Sequence, residues 1–272
     1  MKRLLLTAII CGLLTTAFSQ NGTDSVRVKS DSARTKKKTF KLIMGDNIRK
    51  QFGYDTIKPK VVKKASPFNF GLTFSRFEIG YSRLLDNGSF TLSSKNQFLD
   101  YKGNVTSYVG FDVLQTSYRF NPYFKIYLAG GFDWTLIRLQ QNITIQENTP
   151  TLSYTTDNVN YSKNRFSSSY LHIPLGFYFR TRDDKRGHKF HFTAGPEIGF
   201  LLDGKVKQVS DDFGKKKFYD NYHFNKFRYG AFARAGYYGL ALFVKYYGNN
   251  VFENSPDQNG LKSINFGLTS GF

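Results

Sequence analysis

The sequence predicts an all-β fold in which eight antiparallel strands form an up-and-down transmembrane β-barrel, preceded by a basic and largely disordered N-terminal extension. Three observations support this prediction: an export signal, segments of alternating hydrophobicity from residue 67 onward, and connections that alternate between short and long. A barrel wall requires a period of two, because lipid-facing and lumen-facing side chains alternate along each strand. We therefore expect a signal peptide at residues 1–19, an extension at 20–66 and the barrel at 67–272.

Residues 1–19 have the three parts of a secretory signal peptide. Lys2 and Arg3 are positive, residues 4–14 are apolar, and Ala17-Phe18-Ser19 precedes a predicted cleavage site at Gln20. The apolar run is shorter than the roughly 20 residues of a membrane-spanning helix. Cys11 is the single cysteine of the sequence and lies within this signal. The exported protein is therefore expected to contain neither a disulfide nor a catalytic thiol.

Residues 20–66 differ in composition from the rest of the chain. They contain 13 lysines and arginines against 4 acidic residues, a net charge of +9 out of +19 for the whole sequence. Runs such as Lys36-Lys37-Lys38 and the scarcity of aromatic residues indicate a solvated segment without a core. We interpret it as a periplasmic extension that is either a linker or a binding segment for a periplasmic protein. Export makes nucleic acid an unsuitable partner.

The barrel strands are predicted from runs in which apolar residues alternate with small or polar ones. In the clearest run, Phe132, Trp134 and Leu136 share one face, and Asp133 and Thr135 share the other. The predicted strands span residues 67–83, 107–120, 123–141, 168–181, 188–205, 226–237, 239–248 and 262–272. Eight strands suffice to close a barrel. The first strand changes phase near Ser75-Arg76, where a β-bulge would restore the register, and the faces of the second strand are ambiguous.

The predicted connections indicate how the barrel lies in the membrane. Short connections fall at 121–122, 182–187 and 237–239, and long ones at about 84–106, 142–167, 206–225 and 249–261. In outer-membrane barrels the short turns face the periplasm and the long loops face outward. We therefore expect an integral, monomeric protein of the Gram-negative outer membrane, in contact with its lipid. A soluble lipocalin-like barrel would place the apolar faces inward, and the many charges opposite those faces argue against it.

Two segments of the predicted fourth and fifth strands resemble a known family. Residues 170–175 (YLHIPL) and 195–205 (GPEIGFLLDGK) are similar to the "YLxIPL" strand and the following "GP…G…L" strand of PorT-like outer-membrane barrels. The resemblance covers residues 67–272 and implies a structural or protein-interaction role. Its named member is an accessory of a secretion system, whereas most members have no established role. The resemblance does not explain the basic extension.

The last predicted strand carries a second resemblance. Phe266, Leu268 and Phe272 share one face of it, and Phe272 is a terminal aromatic residue. This pattern resembles the assembly signal that the barrel-assembly machinery reads on its substrates. We expect these three residues to contact that machinery during biogenesis.

Charged residues on the small-residue faces are predicted to fill the barrel. They are Lys125, Asp133, His191, Glu197, Arg234 and Lys245. The interior of an eight-stranded barrel is just wide enough for side chains, and buried charges are costly unless they are paired. We expect ion pairs across the lumen, with Glu197 and Arg234 as the preferred pair because their strands are neighbours. The alternative interpretation is a small-solute or proton path.

A lipid-modifying enzyme is the competing functional class. Four histidines are available, of which His172 falls in the lumen pattern, and His188 and His191 lie near a short turn. His223 lies in a long loop with Ser210 and two aspartates nearby in sequence. Such sites can be assembled from distant residues, but the sequence contains no nucleophile elbow and no metal-ligand spacing. We predict that the protein is not an enzyme and requires no cofactor.

Overall fold

The computed structural model describes residues 67–72, 76–184 and 186–271. The predicted signal peptide, the extension at 20–66 and Phe272 lie outside the described residues. Within the described ranges, none of the helical segments is long and apolar enough to cross a membrane.

Antiparallel strands make up nearly all regular structure of the described chain, which confirms the all-β prediction. The strands are β1 (Phe68–Leu72), β2 (Phe77–Asp86), β3 (Ser107–Arg119), β4 (Phe124–Arg138), β5 (Ile143–Ile145), β6 (Tyr154–Thr156), β7 (Lys163–Arg180), β8 (Phe190–Ser210), β9 (Gly214–Asp220), β10 (Phe227–Tyr237), β11 (Leu240–Tyr247) and β12 (Leu261–Ser270). Two single 3₁₀ turns, Gln97–Leu99 and Pro256–Gln258, lie in long connections.

Eight of these strands pair in a closed ring. Its order is β2, β3, β4, β7, β8, β10, β11 and β12, and β12 pairs again with β2. Every pairing is antiparallel. Strand β1 pairs with the end of β3 that β2 does not reach, β9 pairs with β8, and β5 and β6 form a separate hairpin. The ring therefore follows chain order.

Two irregularities explain the difficult first and second predicted strands. Between the pairs Leu72–Leu114 and Phe77–Phe111 the first strand advances five residues and β3 only three, so the first strand contains extra residues near the predicted bulge. Strand β3 also shifts register against β4 between Asp112 and Leu114. Asp112 consequently points inward and is buried, whereas Leu114 is exposed. This switch of face within β3 is what makes its sequence pattern ambiguous.

The ring is apolar outside and polar inside. Leu128, Phe177, Phe200 and Leu268 are exposed on the outer face, whereas inward side chains such as Asp133 are buried. This arrangement is the opposite of that in a soluble barrel with an apolar interior.

The two ends of the ring differ in their connections. At one end the turns are short, and Tyr238 and Gly239, both with positive φ, connect β10 to β11 directly. At the other end the connections are long and contain β5, β6 and β9. Strands β7 and β8 extend further toward this long-loop end than the sequence predicts, because β8 continues into a hairpin with β9.

Candidate functional site

Charged side chains fill the middle of the ring in two series of hydrogen-bonded groups, which together we call the ion network. In the first series, Arg76 Nη1 donates to Asp112 Oδ2 at 2.5 Å. His172 lies between two carboxylates, with Nε2 2.8 Å from Asp112 Oδ1 and Nδ1 3.0 Å from Asp133 Oδ2. Arg228 donates to the same oxygen of Asp133. All five side chains are buried.

The second series of side chains adds three more strands of the ring, β2, β8 and β11, to those of the first. Arg234 Nε donates to Glu78 Oε1 at 2.8 Å. Lys245 Nζ lies 2.9 Å from Glu78 Oε2 and 2.9 Å from Glu197 Oε2, so it bridges the two carboxylates. Tyr247 donates its hydroxyl proton to Glu197 Oε1 at 2.6 Å. Each carboxylate thus has at least two donors.

Two tyrosines connect the two series, one at the Arg76 end and one at the Arg228 end. The Arg76 guanidinium lies 4.6 Å from the centre of the Tyr127 ring, and the Tyr127 hydroxyl accepts a hydrogen bond from Arg234 at 2.7 Å. At the other end, the Arg228 guanidinium lies 4.1 Å from the centre of the Tyr247 ring. Cation–π contacts of this kind are strongest when the cation is removed from water. The ion network is therefore continuous around the lumen.

Acidic and basic side chains are nearly equal in number in the ion network. Its acidic members are Glu78, Asp112, Asp133 and Glu197, and its basic members are Arg76, Arg228, Arg234 and Lys245. His172 lies between Asp112 and Asp133, and it donates to both carboxylates when each ring nitrogen carries a proton. Buried charges persist when they are paired and hydrogen-bonded, as these are. The arrangement is that of a structural filling, in which every charge already has a partner.

Glycines on the lumen face leave room for the large members of the network. A Cβ at position 176 would lie 2.2 Å from a ring carbon of Tyr127, and one at position 199 would lie 2.7 Å from Arg228 Nε. Gly176 and Gly199 therefore allow a tyrosine and an arginine to cross the lumen.

An apolar cluster, here called the outer cap, closes the long-loop end of the lumen. Its centre is Phe166, which is fully buried and stacks on Phe224 at 4.6 Å. Its buried members are Leu84, Phe98, Leu99, Ile137, Leu139, Ile143, Ile145, Leu152, Phe166, Val206, Tyr222, Phe224, Phe252 and Leu261. A cavity between the outer cap and the ion network, lined by Tyr170, Arg228 and Tyr247, has a volume of about 30 Å³. It is large enough for one or two water molecules.

The structure places four predicted lumen charges, Asp133, Glu197, Arg234 and Lys245, in the ion network, but it does not join the preferred pair. Arg234 lies opposite Thr193, whereas Glu197 lies opposite Gly230. Four residues along a strand correspond to roughly 13 Å, so the register separates the two charges. Within the described part of the chain, Arg234 pairs with Glu78 and Glu197 with Lys245. Neither pair joins neighbouring strands, because Arg234 of β10 meets β2 and Glu197 of β8 meets β11, so the closure of the ring decides the partners.

The other two predicted lumen residues lie nearer the short-turn end. Lys125 Nζ lies 4.3 Å from the centre of the Tyr178 ring, and the His191 ring lies 6.1 Å from the same ring. Among the described residues, Lys125 has this cation–π contact and no carboxylate within ion-pair distance. Lys125 is therefore separate from the ion network.

Four network residues escaped the sequence prediction: Arg76, Glu78, Asp112 and Arg228. The first three follow or flank the two irregularities, where alternation does not reveal the inward face. Arg228 could have been found, because it shares the even-numbered face of β10 with Arg234.

His223 and His172 are each held by groups other than a serine hydroxyl. His223 Nε2 is 2.7 Å from the Thr149 carbonyl oxygen, and Ser210 Oγ accepts the Phe213 amide proton. His172 is held between two carboxylates of the ion network. In the described ranges, no three His, Cys, Asp or Glu side chains come together as metal ligands.

The outer surface of the first long loop contains an open cavity of about 470 Å³. Arg83, Phe90, Gln97 and Tyr101 are among its lining residues. Phe90 is 63% exposed, and the Arg83 guanidinium lies 5.8 Å from the centre of the Tyr101 ring. Aromatic and charged groups are thus available to a partner there.

Two solved structures of Ail, the attachment invasion locus protein of Yersinia pestis, are similar to the chain. The one in complex with the heparin analogue sucrose octasulfate is 17% identical, with 72% of this chain and 95% of that chain covered and a TM-score of 0.30. The other is 16% identical, with 76% and 98% covered and a TM-score of 0.28. No curated protein matches the chain.

The sequence also matches a protein family. Residues 66–252 match the family described as outer membrane protein beta-barrel domain, which is more than half of the chain. The chain therefore belongs to this family of integral outer-membrane β-barrels.

Proposed function

We propose that the protein is a non-conducting outer-membrane barrel with a structural or protein-interaction role, accessory to protein secretion, and that its long loops carry this role. The observation that supports it is the combination of a filled lumen with an ordered, partly aromatic outer surface. A filled lumen obstructs the passage of solutes, whereas an ordered surface is suited to binding a partner protein.

Two barriers in series obstruct the lumen. The ion network crosses the ring with its charges paired, and the outer cap covers the long-loop end with apolar side chains. A solute would have to break buried ion pairs and displace packed aromatic rings. We infer that the barrel is a support for its loops.

Hydrogen bonds between different long loops hold the surface that we expect to bind a partner. Lys95 Nζ donates to Asp257 at 2.9 Å, the Leu152 amide donates to Ser255 Oγ at 3.0 Å, and the Asn148 amide donates to Asp220 at 2.9 Å. These bonds join four separate connections into one surface. Binding to a preorganised surface costs less conformational entropy than binding to free loops. Phe90 and Phe213, 63% and 56% exposed, are the aromatic groups we expect a partner to contact.

We further propose how the barrel lies in the outer membrane and how it is assembled. The long loops face the exterior, and the basic extension lies in the periplasm, where it is a linker or binds a secretion-system protein. Phe266 and Leu268 are exposed on the lipid side of β12, where the barrel-assembly machinery can contact them together with Phe272. The PorT-like resemblance of residues 170–175 and 195–205 is what points to secretion.

Planar-bilayer recording tests the non-conducting barrel. We expect the purified protein to give no stable, large conductance steps, because the ion network and the outer cap block the lumen. Recurrent large steps would support the small-solute channel instead.

A deletion strain tests the secretion role. We expect loss of one or more secreted proteins from the medium, restored by the wild-type chain and not by Phe90→Ser with Phe213→Ser. Tyr123→Ser, an exposed aromatic change at the short-turn end, is the matched control and should restore secretion. An unchanged secretome would contradict the proposal, and a lipid A alteration that depends on His223 would support the enzyme instead.

A further inference from the structure

A row of cations crosses four strands at the long-loop end. Arg138 of β4 lies opposite Arg165 of β7, Arg165 opposite Lys207 of β8, and Lys207 opposite Lys217 of β9. Directly opposite residues share one face of a sheet, with Cβ atoms roughly 5 Å apart. We call these four residues the cation row. Lys163 and Lys215, both opposite Val209, lie beside it on the same face.

The cation row has few internal counter-charges. Like charges placed directly opposite each other destabilise a sheet. Among the described residues, none of the four takes part in an ion pair, and Arg165 Nε has no hydrogen-bond partner. Partial burial and the neighbouring Lys215, Lys163 and Arg165 lower the pKa of Lys207. The acidic residues of β8, β9 and their turn are Asp203, further along β8, Asp211 and Asp212 in the turn, and Asp220 at the end of β9, which accepts a hydrogen bond from the Asn148 amide.

The row continues the lipid-facing surface of the barrel. On β4, Trp134, Leu136 and Arg138 follow one another on the outward face, so the row begins about 7 Å beyond the last apolar residue of that strand. On β7, the outward Leu171 is followed by Ser169, Ser167 and then Arg165 on the same side.

A register shift brings β8 into the same surface. Ser169 lies opposite Asp203, whereas Tyr170 lies opposite Leu201, so β8 has one extra residue at this point. Beyond it, Val206 and Gln208 turn inward and are buried, with Val206 in the outer cap. Lys207 consequently points away from the protein, level with Arg165 of β7 and with Arg138, which follows the last outward apolar residue of β4.

We propose that the cation row binds the phosphate groups of anionic lipid headgroups in the outer leaflet. The row borders the apolar band on the same wall, so a lipid whose acyl chains cover Trp134 and Leu136 has its headgroup beside Arg138 and Arg165. Basic side chains near a membrane surface each strengthen binding to anionic lipid severalfold. A soluble polyanion would not need this continuity with the lipid-facing wall. The inference rests on the proposed outward orientation of the long loops.

The test uses the purified full-length exported protein in phosphatidylcholine nanodiscs. The probes are bis-phosphorylated lipid A and the same lipid after removal of its phosphates. Trp134, the single tryptophan of the sequence, lies four residues from Arg138 on the same face and reports binding by fluorescence, and native mass spectrometry counts the bound lipids. Nanodiscs expose both faces of the barrel, so the measurement does not depend on orientation in the cell.

We expect phosphorylated lipid A to bind, and the variant Arg165→Gln with Lys207→Gln to bind it on the order of tenfold more weakly, with a smaller salt dependence. The matched control is Lys216→Gln with Lys95→Gln, which removes the same charge. Lys216 lies on the opposite side of β9, over the Phe213 ring, and Lys95 lies in another loop. The control should bind as the wild type does. Heat-modifiable migration establishes that each variant is folded, and Lys215→Gln with Lys217→Gln, on the exposed strand β9, replaces the first variant if it does not fold.

Three results would overturn the proposal. They are equal binding of phosphorylated and dephosphorylated lipid A, unchanged binding by a folded row variant, and row-dependent binding of a soluble sulfated polysaccharide without binding of lipid A. Each leaves the secretion test unaffected, because that test depends on Phe90 and Phe213.

Discussion

The ion network and the outer cap close the same lumen by different physical means. The network takes side chains from seven strands of the ring and holds them by directional ion pairs. Much of the outer cap comes from the connections, including Leu99, Ile143, Phe224 and Phe252, and it is held by apolar burial. A charge network fails when one partner is removed, whereas an apolar cluster loses stability in proportion to the area and volume removed.

The strands of the ring and the long loops are therefore stabilised in different ways. Network residues lie on strands that the hydrogen-bonded ring already positions, so their pairing depends on register. Many residues of the outer cap instead lie on connections that few backbone ladders hold, so apolar packing against the ring is what orders those loops. We therefore expect damage to the network to weaken the whole barrel and damage to the cap to release the loops.

Loss of Glu78 should have the largest effect. Glu78→Gln removes the charge that Arg234 and Lys245 share, and an uncompensated buried cation should cost about 3–5 kcal/mol of unfolding free energy. Urea unfolding followed by Trp134 fluorescence measures it. Lys95→Ala, which breaks an exposed pair with Asp257, should change stability by about 0–1 kcal/mol. Equal losses in the two variants would contradict the distinction between buried and exposed pairs.

Truncation of the side chain at the centre of the outer cap should have the second largest effect on stability. Phe166→Ala should cost about 3 kcal/mol, and Phe166→Leu less, because the loss follows the volume removed. We expect the effect as faster proteolysis of the long loops while heat-modifiable migration of the barrel persists. Phe213→Ala, on an exposed ring of the same surface, is the control. Loss of the barrel together with the loops would show that cap and network form one cooperative unit.

A pair of double-mutant cycles sharpens the description of the network. Glu78 and Arg234 are in direct contact, and their cycle should give a coupling of about 1–3 kcal/mol. Glu197 and Arg234 interact only through Lys245 and Glu78, and their coupling should be smaller. The reverse order would restore the pair that the sequence suggested.

The smallest effect concerns Asp86, which organises the first long loop at the end of β2. It accepts hydrogen bonds from the Ser93 amide at 2.7 Å, Asn96 Nδ2 at 2.9 Å and Asn87 Nδ2 at 3.0 Å. Burial alone would raise its pKa, but the bonds from Ser93, Asn96 and Asn87 lower it below the ordinary 3.8. Its stabilisation is therefore present above pH 3.8 and lost as the pH falls through the lower folded value.

Asp86→Asn should cost about 1 kcal/mol near neutral pH and reduce the acid sensitivity of this loop. Hydrogen exchange of residues 87–100 at pH 3 and pH 6 measures it. Asp183→Asn, in an exposed pair with Lys189 at the short-turn end, should leave both rates unchanged. Identical acid sensitivity in Asp86→Asn and the wild type would refute the role of Asp86.

The sequence by itself determined the all-β class, the approximate strands, and the inward face of β4, β7 and β12. It also identified Asp133, Glu197, Arg234 and Lys245 as lumen residues. Alternation is a local property, so a reader of the sequence can assign faces wherever a strand runs without interruption.

Only the tertiary structure decided which charges meet and what closes the long-loop end. The partner of Arg234 depends on which strands face each other across the closed ring, and the inward turn of Asp112 and the outward turn of Lys207 depend on register shifts within pairs of adjacent strands. The outer cap likewise joins connections that carry no periodic pattern. Cross-strand register is set by the closure of the whole ring, and for that reason it cannot be read from any one segment.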